Sequence, residues 1–156
     1  VYGMGPKKLS NSLGCSLSEA KELHAGYLKM FSRVGEWQRQ WGEFASKNGY
    51  VMTMLGRRRY LDTDVMGYER EACNTPIQGT AADMLKIAAI KINKKLNGGA
   101  NLVNVIHDEV VIECPPGDVE HVSGLVREAM LEAAEVLVKK VPFAVDGRIR
   151  DRWSKE

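Results

Sequence analysis

The stretch Asn101–Cys114, NLVNVIHDEVVIEC, decides the fold. Two apolar arms, Leu102–Ile106 and Val110–Ile112, flank the polar triplet His107-Asp108-Glu109. β-Branched residues dominate both arms and favour strands over helix. A hairpin folding at the triplet lifts two carboxylates to the tip of a rigid, buried scaffold. Carboxylates held that way suit Mg²⁺, a hard cation that takes oxygen ligands. Any hairpin also needs a polar turn, so the triplet by itself leaves both readings open.

Downstream, Pro115-Pro116-Gly117 is a turn and Asp118 a good N-cap. Val119, Val122, Val126, Ala129, Met130, Ala133, Val136 and Leu137 then mark an amphipathic helix ending at Lys139-Lys140. His121, near its start, reads as exposed. Val141–Ile149 is expected to be a final strand, with Trp153 anchoring the tail. From Asn101 the order is strand, strand, helix, strand. That order implies an α+β fold, an antiparallel sheet covered by helices on one side.

Upstream, Tyr68–Asn74 reads as helix, and Thr75-Pro76-Ile77-Gln78 carries both N-cap and kink chemistry. Either a new helix starts there or one helix runs through. Ile77, Ala81, Met84, Leu85, Ala88, Ile92 and Leu96 form the expected core stripe, with Lys86, Lys91, Lys94 and Lys95 mostly off it. If the helix is continuous, Arg70, Asn74 and Gln78 share one face. They can cap loops, or read the acceptors that every base pair shows in the minor groove.

Earlier still, Tyr50–Leu55 reads as a strand turned at Gly56 into Arg57-Arg58-Arg59. A charge run is usually a solvated face, but guanidinium also binds phosphate bidentately. The phrase before it, from the capping box Ser16/Glu19, predicts a helix with a stripe of Ala20, Leu23, Tyr27, Met30, Phe31 and Val34. A break is expected near Gly35. Trp37, Trp41, Phe44 and Ala45 continue the stripe to the stop at Asn48-Gly49. Such an aromatic stripe is more often core than a platform for stacked bases. Gly3, Gly5 and Pro6 open a short helix to about Leu13 and lack the Walker pattern of a phosphate loop.

The chain has 156 residues, 44% hydrophobic and 27% charged, enough for one ordinary globular core. A net charge of +2 demands no polyanionic partner, although local patches can bind one. Cys15, Cys73 and Cys114 lack metal-ligand spacing and read as reduced thiols of an intracellular protein. No apolar run approaches the ~18 residues that cross a membrane. The opening at Val1, inside a Gly-rich phrase, reads as a piece of something longer.

Together these phrases resemble the C-terminal fingers and palm portion of family A DNA polymerases, almost from end to end. The family's Tyr-Gly phrase matches Tyr2-Gly3, and its Gly-Arg-Arg hairpin matches Gly56-Arg57-Arg58. Its Arg-x-x-x-Asn-x-Pro-x-Gln-Gly-Thr helix is similar to Arg70, Asn74, Pro76, Gln78, Gly79 and Thr80 at intact spacing. Its His-Asp-Glu hairpin matches His107, Asp108 and Glu109. The resemblance implies a fingers-like portion over residues 1–66 and a palm-like portion over 67–156. It implies template–primer DNA and dNTP as partners and two Mg²⁺ ions as cofactors. Asp108 is then a metal ligand, Glu109 a neighbouring acid, and His107 a residue positioning the primer terminus. Arg70, Asn74 and Gln78 contact the minor groove, Arg57 and Arg58 the DNA backbone, and Tyr2 the nascent pair.

The family's Asp-Tyr-Ser phrase, bearing the first catalytic aspartate, has no counterpart in this sequence. The Arg and Lys of the fingers helix are absent as well. One aspartate cannot hold two dications against their repulsion, so the chain is expected to need an upstream segment for activity. A non-catalytic duplex-DNA-binding module is the alternative from another class. A metal phosphohydrolase built on His107-Asp108 needs further ligand histidines, and only His24 and His121 exist.

Overall fold

The computed structural model describes residues 3–153, and over them the chain is mixed α+β, mostly helical, with two antiparallel hairpins. It separates into two compact units, Val1–Gly79 and Thr80–Glu156. The division falls inside a helix. The boundary read from sequence, between residues 66 and 67, marks the approach to that helix's start.

In the first unit, Pro6 occupies a first-turn position of α1 (Pro6–Leu13), where its missing N–H costs nothing, and Gly14 ends the helix at φ 66°. The expected capping box is present at the next helix. Glu19 N–H donates to Ser16 Oγ at 3.2 Å, and Ser16 N–H donates to Glu19 Oε2 at 2.9 Å. α2 (Leu17–Met30) and α3 (Ser32–Asn48) meet at Phe31, whose φ −109° and ψ 57° leave the helical region. The break is therefore earlier than Gly35, which lies within α3. A Cβ at Gly35 would lie 3.5 Å from Leu28 Cδ2, an ordinary van der Waals contact between α3 and α2. The apolar stripe of α2 is core only at Ala20. Leu23, Met30 and Phe31 are 53%, 77% and 48% exposed, since among the described residues no element covers that side.

The aromatic stripe of α3 continues into the first hairpin, where β1 (Tyr50–Met52) pairs with β2 (Arg58–Tyr60). Rings of Trp37, Trp41, Phe44, Tyr50 and Tyr60 follow one another at 6.5, 5.5, 5.6 and 5.9 Å between centroids. Edge-on or tilted pairs of this kind add roughly 0.5–1.5 kcal/mol each beyond area burial. Ala45, Val51 and Ala72 form the buried centre beneath them. β1 stops at Met52 rather than Leu55 because the turn has begun: the Thr53 carbonyl accepts from Gly56 N–H at 2.9 Å.

α4 (Tyr68–Lys95) runs unbroken through Pro76, which settles the two alternatives left by sequence. Its core stripe is only partly as expected. Ile77 is 42% exposed and Ala81 is exposed, while Ala72, Cys73, Thr75 and Thr80 are buried. The stripe turns inward from Ala88 onward.

In the second unit, β3 (Asn101–Ile106) and β4 (Glu109–Glu113) pair antiparallel, as the opening stretch predicts. Leu102 faces Ile112 but Asn104 faces Val111, so Val103 is an extra, bulged residue. Val110 and Ile112 pack on Ala88, Ile92, Ala129 and Ala133, the buried seam of α4 and α5 (Val119–Leu137). The scaffold is not itself buried: no residue of either strand is fully covered, and Val103 and Val105 are 51% and 43% exposed. Helices cover the hairpin on one face alone. Asp118 makes no side-chain cap bond, because it is itself near-helical (φ −104°, ψ −1°) at the end of a 3-10 turn over Pro116–Asp118. α5 ends at Leu137, short of the lysine pair.

The final strand expected at Val141–Ile149 does not form. A strand requires a neighbour's ladder, and among the described residues both sheets are two-stranded and closed within their own hairpins. Val141, Phe143, Ile149 and Trp153 remain 62%, 40%, 58% and 54% exposed.

Ion pairs reinforce the α4–α5 seam. Lys91 Nζ donates to Glu132 Oε2 at 2.6 Å, and Lys95 Nζ donates to Glu132 Oε1 at 2.8 Å and to Glu128 Oε2 at 3.1 Å. Hydrogen bonds from Lys91 and then Lys95 lower the Glu132 carboxyl from 4.5 to about 2.

Ile92 is fully buried, so Ile92→Ala should cost about 2–5 kcal/mol in urea denaturation and loosen the second hairpin with it. A depressed carboxyl stabilises fully above its ordinary 4.5 and loses that contribution as pH falls towards about 2. Glu132→Gln should therefore flatten the thermal midpoint across that acid window, leaving the remaining carboxylates to set the slope.

Candidate functional site

The carboxylate group of the second unit is built by a two-residue turn. Ile106 pairs with Glu109, leaving His107 and Asp108 as the central residues. His107 has φ 54°, the one described non-glycine residue with positive φ. A positive φ at the first central position is the sign pattern of a type II′ turn, where glycine is normally preferred. A left-handed L-residue there is strained, and histidine is among the side chains found in that region more often than most. His107, Asp108 and Glu109 are all exposed. Strand alternation puts Glu109 on the face opposite Val110 and Ile112, which meet the core.

The two carboxylates offer hard oxygen donors. Among the described residues, no three His, Cys, Asp or Glu side chains gather closely enough to hold a metal ion. The donor chemistry fits a divalent cation as far as it goes; Mg²⁺ commonly takes one or two carboxylates and completes its shell with waters and substrate phosphates. All three cysteines are free thiols, and burial, with Glu69 nearby, raises the Cys73 thiol.

The other residues singled out by sequence stand in the first unit. Arg70, Asn74 and Gln78 lie on the continuous α4 and share a face, with Arg70 and Gln78 exposed. The Asn74 carboxamide oxygen is buried without a hydrogen-bond partner. Gly3, at φ 74°, lies against Arg70: a Cβ there would sit 3.2 Å from Arg70 Cγ. Tyr2 lies outside the described residues.

The three arginines do different things. Arg57 Nη2 donates to the Gly79 carbonyl at 3.1 Å, and Arg58 stacks 4.6 Å above the Tyr50 ring. Arg59 Nη2 donates to Glu71 Oε2 at 2.6 Å, and its Nη1 donates to Thr75 Oγ1 at 3.3 Å. Sequence reading missed Glu71 and Thr75 as partners of this hairpin. No local pattern marks them, because each contact joins segments far apart in the chain.

The amino-acid sequence matches the family model of DNA polymerase family A over residues 1–155. The chain belongs to DNA polymerase family A. It is 34% identical over 167 residues to DNA polymerase I of Aquifex aeolicus, covering 100% of this chain and 28% of that protein. It is 36% identical over 161 residues to the thermostable DNA polymerase I of Thermus aquaticus, covering 98% of this chain and 19% of the relative. With DNA polymerase I of Mycobacterium bovis it shares 40% over 140 residues, 83% of this chain and 16% of that one. The chain thus spans less than a third of these relatives. Among solved structures it is similar to the POL domain of Pol1 from M. smegmatis, in complex with DNA primer-template and dNTP. That match has a TM-score of 0.76 and 35% identity over 85% of this chain and 25% of that chain.

Relief of the left-handed strain at His107 should outweigh the extra freedom glycine gives the unfolded chain. His107→Gly is expected to raise unfolding stability by roughly 0.5 kcal/mol in a urea titration. A loss of stability would show that the imidazole makes compensating contacts in the turn.

Proposed function

We propose that the chain is the fingers-to-palm part of a template-directed DNA polymerase, which joins the α-phosphorus of a dNTP to a primer 3′-oxygen and releases pyrophosphate. The observation that supports this best is the 0.76 TM-score likeness to a polymerase domain whose structure contains primer-template and dNTP. Asp108 would offer an oxygen ligand to Mg²⁺ at the hairpin tip, with Glu109 as the adjacent acid and His107 placing the primer terminus. Two such ions, when bound, stabilise the attacking and leaving oxygens of an in-line displacement. Arg70, Asn74 and Gln78 would donate to minor-groove acceptors, which look alike for all correct pairs. Arg58 would face the DNA backbone, with Arg57 beside it on the same ribbon held to the Gly79 carbonyl, and Tyr2 the nascent pair.

Residues 1–66 would act as fingers and 67–156 as palm. No helix among the described residues is long and apolar enough to cross a membrane, in keeping with a proposed place in the cytoplasm or nucleoid.

The first partner of the reaction is then the polymerase segment that carries the family's other catalytic aspartate and the fingers cations. The purified chain should add no nucleotide to a primed template. Adding that segment from a related polymerase should restore extension, and Asp108→Ala should remove it again by about a thousandfold, the scale of losing an essential charge-stabilising group. Template-dependent extension by the 156-residue chain without the segment would overturn the dependence. Salt-sensitive duplex binding with no restorable extension would favour the non-catalytic DNA-binding module instead.

A further inference from the structure

We propose that the arginine hairpin is a splint for the DNA-reading helix, with Arg57 and Arg59 as positioning residues and Arg58 as the residue left to meet phosphate. The proposal rests on the reading of the Arg70–Asn74–Gln78 face as a duplex contact. Pro76 lies in the stretch between Asn74 and Gln78, on the opposite side of the helix, and has no N–H to give the Ala72 carbonyl, so α4 lacks its ladder bond from residue 76 to residue 72. A helix is free to bend at such a point, and bending swings Gln78 relative to Arg70.

The hairpin grips α4 on both sides of it. Ahead of Pro76, Arg59 bridges Glu71 Oε2 at 2.6 Å and the buried Thr75 hydroxyl at 3.3 Å, while that hydroxyl donates to the Glu71 carbonyl at 2.8 Å. Beyond Pro76, Arg57 donates to the Gly79 carbonyl at 3.1 Å. Thr53 presses on the same spot, since a Cβ on Gly79 would meet Thr53 Cγ2 at 2.7 Å. Both grips belong to one short antiparallel ribbon, in which Val51 pairs with Arg59 and Thr53 N–H donates to the Arg57 carbonyl at 3.0 Å. Alternation along the ribbon explains the division of labour. Arg57 and Arg59 point to one side, towards α4, and Arg58 to the other, over Tyr50.

Sign and salt dependence separate a splint from a phosphate contact. Glu71→Gln removes a negative charge, so a purely electrostatic surface would bind DNA more tightly. A splint loses its Arg59 anchor and binds more weakly. Affinities for a short primer-template duplex are measured by fluorescence anisotropy over a salt series, well below each variant's thermal midpoint. Glu71→Gln and Arg59→Ala should each weaken binding about three- to fivefold, the range of an exposed ion pair, with the salt slope unchanged. Arg58→Ala should lower the slope by about one. A role in stability only would shift the midpoint and leave the affinity of the folded chain untouched.

Hydrogen exchange supplies the arm that needs no DNA. Amides of residues 75–80 in α4 should exchange about threefold faster in Glu71→Gln than in the parent chain. Tighter binding by Glu71→Gln, a lowered slope in Arg59→Ala, or unaltered exchange would each overturn the splint. If the parent chain binds no duplex, the DNA reading fails, and exchange in α4 decides the splint by itself.

Discussion

The second unit depends on Val110 and Ile112 seating against Ala88, Ile92, Ala129 and Ala133. An isolated two-stranded hairpin is marginal in water and needs a helix behind it. Alanines at the seam let α4 and α5 approach closely enough for Ile92 to be fully enclosed. The lysine–glutamate ties across Lys91, Lys95, Glu128 and Glu132 hold the two helices on their outer side. Everything said of His107, Asp108 and Glu109 follows from that seating. A tip with strained backbone persists only when the strands beneath it are over-determined.

A parallel constraint governs the first unit. Its fully buried side chains are small, so the aromatic chain from Trp37 to Tyr60 and the grips of the arginine ribbon carry much of the order. Gly79 is where this is tightest, with no room for a side chain beneath Thr53. Residues that read as a phosphate-binding run in one dimension are divided by strand alternation into two that hold the helix and one that faces away.

Much of this was legible from pattern. The β-branched arms of the opening stretch, the Ser16/Glu19 box, the Gly49 stop and the arginine hairpin each rest on local chemistry that needs no distant partner. The readings that failed share the opposite property. Among the described residues, Val141–Ile149 has strand composition but no neighbour to complete a ladder, and the stripes at Leu23–Phe31 and Ile77–Ala81 have helical period but no covering element. Periodicity reports which face is apolar, never whether something lies against it.

The sequence by itself determined the family, the α+β composition, the acidic turn and the spacing of Arg70, Asn74 and Gln78. Those features are set by side-chain order and backbone preference. Only the tertiary structure decided that α4 is continuous through Pro76, that His107 carries the left-handed turn, and that Arg57 and Arg59 are spoken for by Gly79, Glu71 and Thr75. Each of these depends on contacts between segments distant in the chain. Such contacts are selected by packing in three dimensions and leave no periodic trace in the order of residues.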